Sequence, residues 1–228
     1  MQRDPVIFIV DDDPAARNSL AALVKSRRLS VETFGSAEEF LEGYDPAKRG
    51  CLIADVRMTG MSGLELLERM AANGLNLPVI VITGFADVPM AVRAMRAGAV
   101  TFLEKPCSEQ ELWDAIQMAL DEEAEAGELQ QKRAEIEDRY AQLKPIEVEV
   151  LGKLMAGLTS KTIAYELQLG LRTIELRRAN IMNKMGARSL AELVRLVLLI
   201  RPDEHSPSTS PTHWHLQRKA RDRSSESV

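Results

Sequence analysis

The sequence predicts a doubly wound α/β domain on a five-stranded parallel sheet, then a long helix, then an all-α domain of four helices. Three observations predict it. Over residues 6–120, five short apolar runs alternate with stretches of helical periodicity, as in a parallel sheet covered by helices. From Ser108 to Leu143 no helix breaker except Gly127 intervenes. From Pro145 to residue 200 only helical patterns remain.

The strands are read at 6–10 (VIFIV), 30–34 (SVETF), 51–55 (CLIAD), 78–83 (PVIVIT) and 101–104 (TFLE). The first and fourth are almost wholly apolar, as strands covered on both faces should be. Between strands, Leu20, Leu23 and Val24, or Leu64, Leu67 and Met70, recur near the helical period. Ser36 with Glu39, Ser62 with Glu65, and Ser108 with Glu111 are capping-box starts. Residues 1–120 form the first predicted domain.

Residues 121–142 are read as a helical linker with an imperfect heptad register. One seam position takes Leu112, Ala119, Ala126, Arg133 and Tyr140; the other takes Ala115, Glu122, Leu129, Ile136 and Leu143. Glu122 and Arg133 break the apolar seam, so a connecting helix is expected rather than an autonomous coiled coil. Residues 143–200 form the second domain, with helices near 145–156, 159–167, 171–185 and 189–200. Pro145 suits a first helical turn, and Ser189 with Glu192 is a fourth capping box. The tail, 201–228, is rich in Ser, Pro and Thr and is expected to be disordered; its His213 and His215 read as metal ligands or, more often for tail histidines, as incidental.

Composition bounds the function classes. The 228 residues are 45% hydrophobic and 28% charged, in the range of a soluble globular protein. Cys51 and Cys107 form no CxxC or Cys/His cluster, so no zinc site and a reducing compartment are expected. No apolar run reaches membrane-span length, and the apolar core after Met1 is too short for a signal peptide; a cytoplasmic protein without membrane association is expected. The net charge of −5 is uneven. Residues 159–188 hold Lys161, Arg172, Arg177, Arg178, Lys184 and Arg188 against Glu166 and Glu175. Such a segment is either a nucleic-acid footprint or a solvated helix face.

In a doubly wound sheet, ligands sit at the carboxyl ends of the strands. There the sequence places Asp11 and Asp12, Asp55, Thr83 and Lys105. Three carboxylates together are costly unless a cation joins them. An all-oxygen set suits Mg²⁺. Asp55 would then be a nucleophile toward a phosphoryl group, with the metal held by Asp12 and less directly Asp11. Taken singly, each residue also reads as a cap or an ordinary loop residue. A phosphohydrolase of the HAD type is the enzyme rival. It expects Asp-x-Asp on the first strand, whereas Asp55 follows the third and Arg57 stands at plus two, so no enzyme is expected.

Residues 5–120 resemble the flavodoxin-like receiver domain of two-component response regulators. The motifs are IVDDD, CLIADVRMTGMSG, VIVITGFADVPMAVRAMRAGAVTFLEKP and Lys105-Pro106. The resemblance implies that Asp55 accepts phosphate from a sensor histidine kinase. It implies Mg²⁺ at Asp12, Asp55 and the Arg57 backbone carbonyl, with Asp11 acting through water. It implies Thr83 and Phe102 as the switch pair, Lys105 at the phosphoryl group, and a cis Lys105-Pro106 bond. Thr59 stands where the family often has Pro, and Phe85 and Ala86 where close relatives carry His and Gly. Phe85 with Arg57 would cover the phosphoryl site, so a phosphorylated form lasting minutes or more is expected.

In LTSKTIAYELQLGLRTIELRRANIMNKM two helices flank a short turn. On the second, Ile174, Ile181 and Met185 share an apolar face. The opposite face presents Arg172, Leu176, Ala179 and Asn183, flanked by Glu175 and Asn180, with Arg177 and Lys184 along an edge. Thr159, Ser160, Lys161, Thr173 and Arg188 suit phosphate contacts. This fits helix–turn–helix docking in a major groove and equally a small bundle that binds protein. Residues 143–200 resemble the LuxR-type DNA-binding domain, with KTIAYEL and RTIELRRANIMNKMGARSLAELVRLVL matching its FixJ subgroup. The resemblance implies that Glu175, Leu176 and Ala179 face bases and that Arg172, Thr173 and Arg177 lie near the backbone; Asn180, flanking the same face, is a further candidate for DNA contact. Gln168 stands where relatives usually have Gly, Arg177 replaces a common His, and Lys144 replaces a capping Thr or Ser.

Together the two resemblances imply a NarL/FixJ response regulator. Its expected partners are a histidine kinase, promoter DNA, a second copy in a phosphorylation-dependent homodimer, and RNA polymerase as a further candidate. The rivals are a protein-interaction output and a phosphorylation-independent regulator.

Overall fold

The computed structural model describes residues 4–201; the tail after Arg201, with His213 and His215, lies outside the described residues. The chain divides into two compact units, one ending at Glu128 and the other beginning at Leu129.

The first unit is a parallel sheet in the order β2-β1-β3-β4-β5. Its strands are β1 (Val6–Val10), β2 (Ser30–Phe34), β3 (Gly50–Asp55), β4 (Val79–Thr83) and β5 (Thr101–Glu104). The helices between them are α1 (Pro14–Ser26), α2 (Ala37–Gly43), α3 (Gly63–Ala72) and α4 (Val88–Arg96), followed by α5 (Glu109–Ala141). Strand side chains alternate between two cores. Phe8, Val10, Leu52, Ala54, Val79 and Val81 pack with residues of α2, α3 and α4. Ile7, Ile9, Cys51, Ile53, Ile80 and Ile82 pack with Ala21 and Val24 of α1 and Leu112, Ala115, Ile116 and Ala119 of α5. The central strands β3 and β4 are therefore buried along their whole length, and the edge strand β2 is not.

The capping boxes divide into two kinds. Ser62 with Glu65 and Ser108 with Glu111 exchange hydrogen bonds reciprocally. Ser36 and Ser189 cap Glu39 N and Glu192 N, but those glutamates reach one residue further back, to Gly35 N and Arg188 N. Helix α5 is one element through Gly127, the long connecting helix expected from the absence of breakers, and residues 121–141 are its second half. Arg49 lies where a Cβ on Gly127 would stand and pairs with Glu123 at 2.6 Å.

The second unit contains the end of α5 with α6 (Pro145–Met155), α7 (Ser160–Glu166), α8 (Leu171–Met185) and α9 (Leu190–Ile200). Its core joins Ile136, Leu143, Val150, Leu151, Ile163, Ile174, Ile181, Met185, Leu193 and Val197. Ile136 and Leu143 of the heptad seam are thus taken up by this core, as Leu112, Ala115 and Ala119 are by the first unit's. Lys144 offers no side-chain cap to α6. Glu147 takes over, accepting from Lys144 N at 2.8 Å and from Lys184 Nζ at 2.6 Å while only 1% exposed. Lys184 Nζ also donates to Gln142 O at 3.0 Å. Burial pushes the Glu147 carboxyl up, yet the hydrogen bonds from Lys184 and Lys144 outweigh it and hold the group below its ordinary value.

Candidate functional site

Parallel pairing with β3 between β1 and β4 brings the carboxyl ends of the central strands to one edge. Asp11 follows β1, Asp55 ends β3, Thr83 ends β4, and Lys105 follows β5. Asp11, Asp55 and Thr83 are buried. Lys105 Nζ donates to Asp55 Oδ1 at 2.6 Å and to Asp11 Oδ2 at 2.8 Å. Asp55 Oδ2 accepts from Arg57 N at 2.7 Å, and Asp11 Oδ1 from Asp13 N at 2.9 Å. Lys105 N donates to Thr83 O at 2.7 Å, and the Lys105–Pro106 bond is cis.

Burial pushes the Asp55 carboxyl above the ordinary carboxylate range, against the pull of Lys105. Burial also works against the Lys105 charge, but the bonds to Asp11 and Asp55 outweigh it and hold the ammonium above its usual value. The result is a buried carboxylate held by one ammonium.

Asp12 stands apart from this group. Its Oδ2 accepts from Thr59 N at 2.7 Å and from Thr59 Oγ1 at 2.8 Å. These bonds hold the Asp12 carboxyl below its ordinary value. Among the described residues, no three acidic, histidine or cysteine side chains are grouped as a cation site. The sequence reading placed Asp11, Asp12 and Asp55 together; the structure joins Asp11 with Asp55 through Lys105 and turns Asp12 to the loop after β3.

At the end of the neighbouring strand, Phe85 N donates to Thr83 Oγ1 at 3.3 Å. The Arg57 guanidinium stacks 4.3 Å from the Phe85 ring centre, and Phe85 is 66% exposed. Phe102 of β5 is half-buried against the α2–α4 side of the sheet. Sequence reasoning missed Gly63. A Cβ there would lie 2.1 Å from the Asp55 carbonyl oxygen, so α3 starts against the backbone of Asp55. The only visible signal was a glycine directly after a helix-capping serine.

In the second unit α8 buries Ile174, Ile181 and Met185. Arg172, Glu175, Leu176, Ala179 and Asn183 are exposed, and Thr173, Arg177 and Asn180 are partly buried. Leu176 is 61% exposed, a large apolar group at the centre of a polar face. Lys184 is tied to Glu147 and does not join Arg177 as a free edge cation. The α7–α8 turn passes through Gln168 at φ 54, a left-handed conformation in a non-glycine residue.

Residues 7–117 match the family model of the response regulator receiver domain, and residues 141–197 that of the bacterial regulatory proteins of the luxR family. The transcriptional regulatory protein FixJ of Azorhizobium caulinodans is 48% identical over 193 residues, covering 85% of this chain and 92% of that protein. FixJ of Rhizobium meliloti is 43% identical, covering 86% and 96%. Among solved structures, the response regulator StyR is 44% identical with a TM-score of 0.74, covering 86% of this chain and 98% of its own. Full-length FixJ from B. japonicum is 42% identical with a TM-score of 0.53, covering 87% and 98%. The chain therefore belongs to the two-component response regulators of the NarL/FixJ family, in which a receiver domain is joined to a LuxR-type helix–turn–helix domain.

Proposed function

We propose that this protein is a transcriptional regulator whose Asp55 accepts a phosphoryl group from a sensor histidine kinase, and that the added charge governs promoter binding by α8. The observation that carries it is the Asp55 carboxylate, buried at a strand end and held by Lys105 at 2.6 Å. An Asp55 oxygen forms the new P–O bond as the P–N bond to the kinase imidazole breaks. Lys105 then holds a phosphoryl oxygen, and the Thr83 hydroxyl donates to another. Phe102, half-buried on the next strand, follows Thr83. Phosphorylation adds roughly −1.5 to −2 charge, enough to bias such a two-state element.

Receiver domains in general use Mg²⁺ at this site, and the donor chemistry here fits a hard cation. Asp12, Asp55 and the Arg57 carbonyl would hold it, with Asp11 through water. When bound, the ion supplies positive charge to phosphoryl oxygens.

On α4, Val88, Val92 and Met95 are exposed at helical spacing, 76%, 43% and 50%. With α5 they form the face through which phosphorylated copies would pair, presenting two recognition helices to two half-sites. Glu175, Leu176, Ala179 and Asn180 face the bases, and Arg172, Thr173 and Arg177 the phosphates. Among the described residues no helix is long and apolar enough to cross a membrane. Cytoplasmic promoter DNA, the kinase and RNA polymerase complete the reading.

The test is selection of bound duplex DNA with and without acetyl phosphate, using Asp55→Asn as the control. A defined site enriched only in the phosphorylated wild type, with affinity falling steeply with salt, is expected. Equal enrichment by Asp55→Asn would refute the phosphoacceptor role.

A further inference from the structure

Asp12 is the strand-end acid that the Lys105 pair leaves out, and it is not idle. We infer that Thr59 is a latch on Asp12 that sets this protein's affinity for its divalent cation. The inference rests on reading Asp12 as a ligand of that cation.

Thr59 lies in the loop between β3 and α3, and Asp12 in the loop after β1. Both Thr59 donors, the backbone N–H and the hydroxyl, go to the same carboxylate oxygen, at 2.7 and 2.8 Å. A carboxylate oxygen has about two lone-pair directions, so Asp12 Oδ2 is saturated. Only Oδ1 remains for a metal, in the direction that the latch allows. Turning Asp12 further toward a cation shared with Asp11 and Asp55 would weaken bonds that specifically stabilise its anion. The loop is pinned again two residues on, where Met61 N donates to Glu38 Oε1 of α2 at 3.0 Å. Between the pins, Gly60 takes φ 84, which favours glycine. With Arg57 N held by Asp55 two residues before Thr59, the segment is anchored on both sides independently of Asp12, which limits how far the latch can follow it.

A hydrogen bond to a charged group is worth enough to matter here, even partly exposed. Valine at position 59 keeps the N–H and loses the hydroxyl; serine keeps both donors; proline keeps neither. The experiment is calorimetric titration of the full chain with Mg²⁺ alone, without phosphodonor. Thr59→Val is expected to bind Mg²⁺ roughly fivefold more tightly and Thr59→Pro roughly tenfold or more, with Thr59→Ser like the wild type. In parallel, the Thr59 amide resonance of the wild type should move toward a weaker hydrogen bond as Mg²⁺ is added. Asp12→Asn separates the two layers of the argument. If Asp12→Asn binds Mg²⁺ like the wild type, Asp12 is not a ligand and the underlying reading fails. If Asp12→Asn binds weakly while Thr59→Val and Thr59→Ser bind alike, the ligand reading stands and the latch is overturned.

Discussion

Lys184→Met isolates the energetics that hold the DNA-binding unit in shape. Lys184 links α8 to Glu147 at the start of α6 at 2.6 Å, and Glu147 is 1% exposed. Removing the ammonium leaves a buried carboxylate with the Lys144 N–H as its remaining hydrogen-bond donor. Breaking a buried pair costs about 3–5 kcal/mol. The Lys184 side chain is 28% exposed, so water reaches one end of the pair. A loss of about 2–3 kcal/mol follows. For a unit of this size that lowers the midpoint by roughly 10–20 °C. The pH dependence gives a sharper test. In the wild type the folded-state pKa of Glu147 is depressed. Its contribution to stability is therefore complete above the unfolded pKa and lost as pH falls through the folded one. With Lys184→Met, burial dominates and the folded pKa rises above the unfolded one, so stability falls as pH rises through that range. Calorimetry of the full chain between pH 4 and 8, with hydrogen exchange read at α6 and α8, measures both effects (pH limits of roughly these values). The double variant Glu147→Leu/Lys184→Met should recover much of the loss. A single variant that loses under about 0.5 kcal/mol, or keeps the wild-type pH slope, would sink the reasoning.

Three further outcomes are expected. Gly63→Ala forces its Cβ against the Asp55 carbonyl, so stability should drop by about 3 kcal/mol and labelling of Asp55 by acetyl phosphate should fall at least roughly tenfold; thermal melts and phosphate-sensitive gels check this. Gln168→Gly relieves a left-handed residue and should stabilise the second unit by about 1 kcal/mol in denaturant melts, whereas Gln168→Val should destabilise it. Phe85→Ala removes the ring stacked on Arg57 and should shorten the lifetime of the phosphorylated form about threefold to fivefold, followed by decay of labelled Asp55; an unchanged lifetime denies the ring a shielding role.

Period and punctuation made the elements legible. Alternation of apolar runs fixed five strands, and β1 and β4 announced their central places by being apolar throughout. The strand-end residues followed from topology alone, because parallel strands must deliver their carboxyl ends to one side. The reading stopped where a side chain chooses among donors. Nothing in the string says that Thr59 will capture Asp12, or that Lys105 will bridge Asp11 and Asp55. The Glu147–Lys184 pair spans 37 positions on two helices, so Lys184 read as an edge cation. Gly63 was hidden because its constraint is a backbone contact with Asp55 rather than a turn. Gln168 was visible as an odd residue in a turn, but only its φ shows what it costs.

Lys105 has a consequence for proton occupancy. Two buried carboxylates, Asp11 and Asp55, share its single ammonium. Without it, the two buried carboxylates would be left with no cation between them, which disfavours the charged form of Asp55. A protonated carboxyl is a poor nucleophile. Lys105 therefore acts before any phosphodonor arrives: its ammonium works against the burial that pushes the Asp55 carboxyl up and so favours the charged form.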